Sequence, residues 1–310
     1  MSTKIVIFGI GRMGLTHFSI LNQLLENCQF TFIDPNNKVS FFAKKNLNVE
    51  IYNSDIYLRH DYDFALICTP PMFHIPILNN LIKKNINNIF VEKPFGGISD
   101  DFSSLQILDK NITIGYVLRF NPIVQWVKQN LHPDLIESVE GYYFSNTIEK
   151  KPNGWRNGKF SGVTNEAGAH IIDLCVFLFG ISNPILLQKD IRSVISDVDD
   201  VVTANFIEKS INFNFHFDWV NKEYRKPVFK FMIYMKDGSK YKFDQQKIEY
   251  YKSNILINSI TSASLKNQVP FYLRGIEFTN QMIHLIGSNK HIAKIEDALI
   301  TRSIIKKIIL

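Results

Sequence analysis

Apolar residues follow two different rhythms along the 310-residue chain. In roughly the first 120 positions, short unbroken apolar runs alternate with segments whose apolar residues recur every three or four positions. The runs at 4–8, 30–33, 49–52, 64–68, 88–91 and 111–116 predict strands, and 13–27, 39–45 and 75–84 predict helices. Phe18, Leu21, Leu24 and Leu25 carry the helical spacing in the first of these. Unbroken runs suit strands covered on both faces. Strands separated by helices of this length imply a parallel, doubly wound α/β sheet.

The second half changes period. Ile211, Phe213, Phe215 and Phe217 alternate with Asn212, Asn214, His216 and Asp218, which predicts a strand with one covered and one wetter face. Residues 229–235 and 241–243 flank Asp237-Gly238 and read as a hairpin. Residues 139–145 read as a strand and 167–179 as an apolar helix ending at Gly180. Helices at 274–285 and 295–309 close the chain. Asn121-Pro122 supplies an N-cap followed by proline at the first helical position, so the domain boundary is set there. The expected architecture is an N-terminal α/β domain (1–120) and a C-terminal domain (121–310) on a large, mostly antiparallel open-faced sheet. The C-terminal helix is expected to pack back toward the first domain. The open face would pair with a second copy, giving a homodimer or homotetramer.

Gly9-x-Gly11-x-x-Gly14 falls between the first predicted strand and the first predicted helix. In that context the pattern is the dinucleotide fingerprint: a tight turn, a close backbone approach to a pyrophosphate, and close helix–strand packing. The phosphates would then meet the N–H groups of the helix N-terminus. Asp34, at the end of the second strand and twenty residues after Gly14, stands where a carboxylate binds ribose hydroxyls. It would repel an added phosphate, and no arginine is near in sequence to receive one, so NAD is expected rather than NADP. Asp34-Pro35-Asn36-Asn37 also reads simply as a turn.

Composition narrows the function classes. The net charge is +6, with lysines scattered and no basic block or aromatic stripe, which argues against nucleic acid and suits an anionic cofactor. Cys28, Cys68 and Cys175 show no metal-ligand spacing and suit a reducing cytoplasm. No apolar run reaches membrane-spanning length, and the N-terminus lacks a cleavage-site pattern.

Two further stretches carry chemistry. Glu92-Lys93-Pro94 follows a strand, at the sheet edge where ligands bind in such folds. Glu166 and His170 are four residues apart around a helix start, with Asp173 three further on, so all three could share one stripe of an apolar helix. Burying them unpartnered would be costly. Singly, each has a plainer reading: Lys93 as a solvated lysine at a proline turn, His170 as a helix histidine satisfied by Asp173.

With these motifs in order, the chain resembles the Gfo/Idh/MocA family of nicotinamide-dependent sugar and cyclitol oxidoreductases. The resemblance rests on Gly9-x-Gly11-x-x-Gly14, Thr69-Pro70 with His74, Glu92-Lys93-Pro94, Arg119-Phe120-Asn121-Pro122, Trp155-Arg156 and Gly168-x-His170-x-x-Asp173. It implies a Rossmann first domain and hydride transfer between a secondary alcohol or ketone of a sugar and NAD. Lys93 would hydrogen-bond the reacting oxygen, His170 would act as general base, and Glu166 would join them. The cofactor set would be Gly9, Gly11, Arg12, Met13, Gly14, Asp34, Thr69, Pro70, His74, Glu92 and Lys93. The substrate set would be Tyr116, Arg119, Trp155, Arg156, Glu166, His170 and Asp173, with no metal. Among these, Trp155 also reads as a domain-edge anchor, and His74 as structural. His17 reads as exposed or packed.

Relatives commonly carry aspartate four residues before the histidine. Glu166 here resembles a branch associated with surface-polysaccharide sugars, as does Asp218 and Arg225 preceding the Lys236-Asp237-Gly238 hairpin. A nucleotide-linked sugar is therefore the expected small-molecule partner. A free aldose or cyclitol dehydrogenase or ketoreductase is the alternative within the family. The rival from another class is a non-catalytic NAD-binding sensor, which fold alone does not separate; retention of both Lys93 and His170 argues against it.

Overall fold

The computed structural model describes residues 2–59, 61–97, 100, 102, 105, 110–158, 161–265, 269–287 and 291–310, apart from the side chain of Trp155. The chain forms two units. One is Met1–Tyr116 with Val269–Ile295, the other Val117–Gln268 with Glu296–Leu310.

The first unit begins with β1 (Thr3–Phe8), α1 (Arg12–Leu24), β2 (Cys28–Ile33), α2 (Asn37–Asn46) and β3 (Glu50–Tyr52). β4 (Phe64–Ile67), α3 (His74–Lys83), β5 (Asn88–Val91) and β6 (Asn111–Ile114) follow. The second unit continues with α4 (Pro122–Asn130), β7 (Ile136–Phe144), a π-helical turn (Thr164–Gly168) and α5 (Ala169–Phe179). Its remaining strands are β8 (Ile185–Arg192), β9 (Val201–Glu208), β10 (Ile211–Asp218), β11 (Val228–Met235), β12 (Lys240–Asp244), β13 (Lys247–Lys252) and β14 (Ile255–Thr261). The chain then returns to the first unit with α6 (Ile276–Ile286) and β15 (Ala293–Lys294), and ends in α7 (Ile295–Ile309).

In the first unit the strand order is β15-β6-β5-β4-β1-β2-β3, parallel except for β15. Ile5, Val6 and Ile7, and likewise Ala65, Leu66 and Ile67, are completely buried, as unbroken apolar runs require. β1 pairs with both β2 and β4, so the strand order reverses there. Outside the carboxyl ends of these strands lies the crevice where doubly wound sheets take ligands.

The second unit is built on an eight-stranded sheet, β14-β13-β12-β11-β7-β10-β9-β8. Its pairs are antiparallel except β7 with β10. Phe213, Phe215 and Phe217 are buried, while Asn214, His216 and Asp218 are half-buried, the alternation read from the sequence. α5 packs directly on this sheet. A Cβ on Gly141 would lie 2.6 Å from Ile171, and one on Gly168 2.6 Å from Phe217, so only glycine allows the close approach.

The unit boundary falls at 116/117, four residues before the predicted helix start at Asn121, which does cap α4 through its side chain. The segment returning to the first unit is α6 with β15, and α7 from Glu296 onward belongs to the second. β15 is too short to show periodicity, and its place is set by pairing Ala293 with Ile114 and Lys294 with Thr113. β8 escaped the sequence reading because it is exposed along almost its whole length and carries no alternation.

Candidate active site

In the first unit the glycine turn is built as the fingerprint requires. Gly9 has φ +96°, and a Cβ there would sit 2.9 Å from the Cys68 carbonyl oxygen. A Cβ on Gly14 would run into the Gly9 carbonyl oxygen, so strand and helix touch backbone to backbone. Gly11 differs: nothing lies within 4 Å of the space a Cβ would fill. It is the N-cap of α1, and no side chain caps that helix. Arg12 and Met13 open its first turn, whose N–H groups have no intrahelical partners.

Asp34 extends from β2 under this turn. One carboxylate oxygen accepts from Ile10 N–H (2.8 Å) and the other from Asn36 N–H (2.9 Å), which fixes the group with lone pairs to spare. Beyond Ile10 an apolar groove of about 390 Å³ is lined by Leu15, Val39, Phe42 and Leu47. A larger cavity of about 740 Å³ lies at the amino ends of β1 and β2, beside Lys4, Cys28 and Asp61. That is the edge of the sheet opposite the glycine turn, so it has no part in this chemistry.

At the same edge as the glycine turn, Thr69 and Pro70 follow β4, and the Thr69 hydroxyl is buried without a hydrogen-bond partner. His74 is fully buried. Its Nδ1 lies 3.0 Å from the Pro94 carbonyl oxygen and its Nε2 2.8 Å from that of Thr69, so the ring spans two turns, and its neutral form has one N–H to donate to either carbonyl. Burial holds its pKa below the usual histidine value, with the two carbonyls working the other way. Glu92 accepts from His17 Nε2 (2.6 Å) and from Lys93 N–H (3.1 Å), which fixes the backbone of Lys93 at the end of β5. Tyr116 closes the unit and is buried. An open glycine, an uncapped helix, a fixed carboxylate and an orphaned threonine hydroxyl on one sheet edge fit a dinucleotide.

In the second unit the helical segment begins earlier than the sequence suggests, through the π turn. Of residues 161–176, only Glu166 and His170 are not buried. Glu166 accepts from Ser161 Oγ (2.6 Å) and faces Arg156 Nε at 3.4 Å. His170 lies against Tyr143 of β7, ring centroids 6.4 Å apart and nearly parallel. Burial, with the Glu166 charge adding to it, pushes the Tyr143 phenol up to about 12. The structure therefore assembles Arg156, Ser161, Glu166, His170 and Tyr143 into one cluster. The side chain of Trp155 lies outside the described residues. Ser161 and Tyr143 gave no sequence signal, since their role depends on neighbours brought in by the fold.

Asp173 and Arg119, read from sequence as substrate contacts, are joined to each other. Arg119 Nε and Nη2 donate to the two oxygens of Asp173 at 2.9 and 2.6 Å, and Nη1 donates to Asp297 at 3.1 Å. Arg119 is 3% and Asp173 1% exposed. Burial pushes the Asp173 carboxyl up to about 6 while Arg119 opposes the rise, and the two-pronged contact with the guanidinium favours the ionised pair. Phe177 underlies the guanidinium at 4.9 Å. With His170 three residues before Asp173 on α5, this pair anchors the helix that carries the imidazole. Among the described residues, no group of three His, Cys, Asp or Glu side chains is placed to hold a metal ion.

Residues 3–110 match the family described as the oxidoreductase family with an NAD-binding Rossmann fold, GFO_IDH_MocA. No curated protein matches the chain. Among solved structures, levoglucosan dehydrogenase in complex with NADH and levoglucosan superposes with a TM-score of 0.81 at 14% identity, covering 100% of this chain and 96% of that one. UDP-N-acetylglucosamine 3-dehydrogenase GnnA from Acidithiobacillus ferrooxidans gives 0.76 at 15%, covering 100% and 97%. A dehydrogenase (MviM) from Clostridium difficile gives 0.77 at 15%, covering 99% and 98%. At these identities the likeness is one of fold, and it extends over both units.

Proposed function

We propose that this chain, whose residues 3–110 match the model of an oxidoreductase family with an NAD-binding Rossmann fold, oxidises a secondary alcohol of a sugar, or reduces the matching ketone. A nucleotide-linked sugar is the substrate we favour. The observation that carries this reading is the helical stretch 164–176, in which every residue is buried except Glu166 and His170, which are half-buried. Hydrophobic packing of the helix does not call for a carboxylate and an imidazole together, whereas a proton transfer needs such a pair.

NAD, when bound, supplies the hydride acceptor. Gly11 and the first turn of α1 would receive its pyrophosphate and Asp34 its ribose hydroxyls. Lys93, its backbone fixed by Glu92, donates a hydrogen bond to the reacting oxygen and stabilises negative charge there. His170 takes the hydroxyl proton as the carbon loses its hydride, so one alcohol becomes one ketone and one proton is held on the ring. Glu166, held by Ser161, orients the substrate or His170. Two comparisons by name support the sugar class: levoglucosan and UDP-N-acetylglucosamine appear with dehydrogenases of this fold. The carboxylate of Glu166 beside Arg156 is a polar pair suited to sugar hydroxyls or a phosphate. We further propose a cytoplasmic setting, and pairing of two copies through the open face of the eight-stranded sheet, which sedimentation would test.

The test is nicotinamide absorbance during incubation with NAD and a panel of nucleotide sugars, free sugars and inositols, with NADP in parallel. Turnover of one class, lost by a factor of about 10³ or more in Lys93→Met while NADH binding is kept, is the expected result. Full activity in Lys93→Met would overturn the assignment. Cofactor binding with no turnover across the panel in either direction would favour the sensor.

A further inference from the structure

Lys93 lies between two residues that are each tied down by a buried histidine. Before it, Glu92 is 7% exposed and its Oε1 accepts from Nε2 of His17, an α1 side chain with no solvent exposure. The carboxylate only accepts, so Nε2 carries the hydrogen, and the other ring nitrogen is buried without a partner. The histidine is thus committed to a single bond. Phe90 packs against the ring edge-on at 5.2 Å and fixes its plane. The second carboxylate oxygen accepts the Lys93 N–H and would lie 3.0 Å from a Cβ on Gly115, so Glu92 fits its slot without slack. After Lys93, the Pro94 carbonyl faces Nδ1 of His74, whose Nε2 faces the Thr69 carbonyl. His74 is also completely buried. A free turn at a sheet edge needs none of this. Two imidazoles withdrawn from solvent and aimed at the residues on either side of one lysine act on where that lysine sits.

We propose that His17 and His74 are positioning residues that bracket Lys93, one through the Glu92 carboxylate and one through the Pro94 carbonyl, and so set the point from which its amine reaches the substrate. The inference rests on the reading of Lys93 as catalytic. It adds a division of labour: α1 receives the cofactor on its first turn and, one turn further on, supplies the histidine that fixes the lysine. The first turn of α3 fixes it from the other side and ties it to the Thr69 turn. A displacement of about 1 Å at a reacting group is enough to cost on the order of a hundredfold in rate.

Amide isosteres separate position from bulk. His17→Gln places an amide nitrogen near the old Nε2 and keeps the bond to Glu92, whereas His17→Asn falls short of it. His74→Asn places its amide nitrogen near the old Nδ1, within reach of the Pro94 carbonyl, whereas His74→Gln places it near the old Nε2, within reach of the Thr69 carbonyl alone. The backbone amide of Lys93 is followed in lysine-¹⁵N-labelled full-length protein, its resonance assigned by its loss in Lys93→Met. In His17→Asn that resonance should move upfield and its hydrogen exchange should quicken by about tenfold, and in His17→Gln it should stay in place. His74→Gln should move it and His74→Asn should not. Glu92→Gln gives an independent lesion of the first bond should His17→Asn fail to fold. In turnover, the two displaced variants should lose about tenfold or more in kcat, with KM for NAD changed less than about twofold and the loss recovered in the matching isostere. A primary deuterium isotope effect on kcat should rise in the displaced variants, which a smaller fraction of folded enzyme would not cause. An unmoved Lys93 resonance in folded His17→Asn and His74→Gln would overturn the bracket. So would equal effects of both substitutions at each site. The resonance is read without substrate or cofactor, so a wild-type protein lacking turnover would count against the proposed reaction and leave this test intact.

Discussion

Replacing Asp173 with asparagine keeps the size of the side chain and removes its charge. In the native protein the Arg119 guanidinium is 3% exposed and gives two of its three charged contacts to Asp173, the third going to Asp297. Asp297 is itself 33% exposed, so solvent screens it and it cannot take over the charge. The variant therefore leaves a buried cation half-compensated, a lesion that typically costs about 3–5 kcal/mol. For a unit of this size, about 2–4 °C of melting temperature is lost per kcal/mol, so the expected drop is on the order of 10 °C or more. Thermal melts followed by far-ultraviolet circular dichroism, with urea titrations alongside, measure it. The double variant Arg119→Leu/Asp173→Leu removes both charges and should recover a large part of the loss, because desolvation no longer opposes packing. A melting temperature within about 2 °C of wild type for Asp173→Asn would refute the reasoning, as would a double variant as unstable as the two single losses added. If Asp173 instead met substrate, the main effect would be on KM in a protein of unchanged stability.

Gly11 and Gly14 should separate along the same line. Gly14→Ala drives a methyl into the Gly9 carbonyl and should cost about 3 kcal/mol or more in urea titration, whereas Gly11→Ala meets nothing within 4 Å and should fold as wild type yet bind NADH at least about tenfold more weakly. Asp34→Ala should weaken NAD binding by about tenfold and erase the preference for NAD over NADP, read by fluorescence titration of the two reduced cofactors; an unchanged ratio would reject the ribose contact. Asp199 gives a pH test. Burial raises its carboxyl to about 6, against the Thr164 N–H that it accepts at 2.8 Å. Between about pH 4 and 6 the folded state therefore binds more protons than the unfolded, and unfolding free energy falls as pH rises, by up to about 3 kcal/mol. Asp199→Asn should remove that part of the slope in urea titrations at pH 4–7, and an identical slope would show that the group is not shifted.

Legibility in the sequence followed the range of the forces involved. β5, β10 and α7 were predicted at their observed ends because periodicity and end signals are local. The turn at Gly9–Gly14 was legible because its chemistry sits within a few residues. The partnership of Arg119 with Asp173 spans 54 positions and that of His17 with Glu92 spans 75, and no local pattern reports such pairs. His74 was given both a cofactor role and a structural one. Its ring nitrogens face two carbonyls, which fixes it in the frame around the site. The extra turn before α5 was missed because a π turn has a wider period than the 3.6 residues a helical reading expects.

The route of the chain through its two units bears on how it can be made. It passes from one to the other after Tyr116, back after Gln268 and across again after Ile295. On the ribosome, the first sheet therefore waits for β15 until every strand of the second sheet has emerged, with β6 presenting an open edge meanwhile. Strand-edge pairing between nascent chains is the hazard in that interval. A fragment ending at residue 116 would keep it permanently, whereas a fusion joining 269–295 to that fragment by a flexible linker would restore the covering strand along with α6.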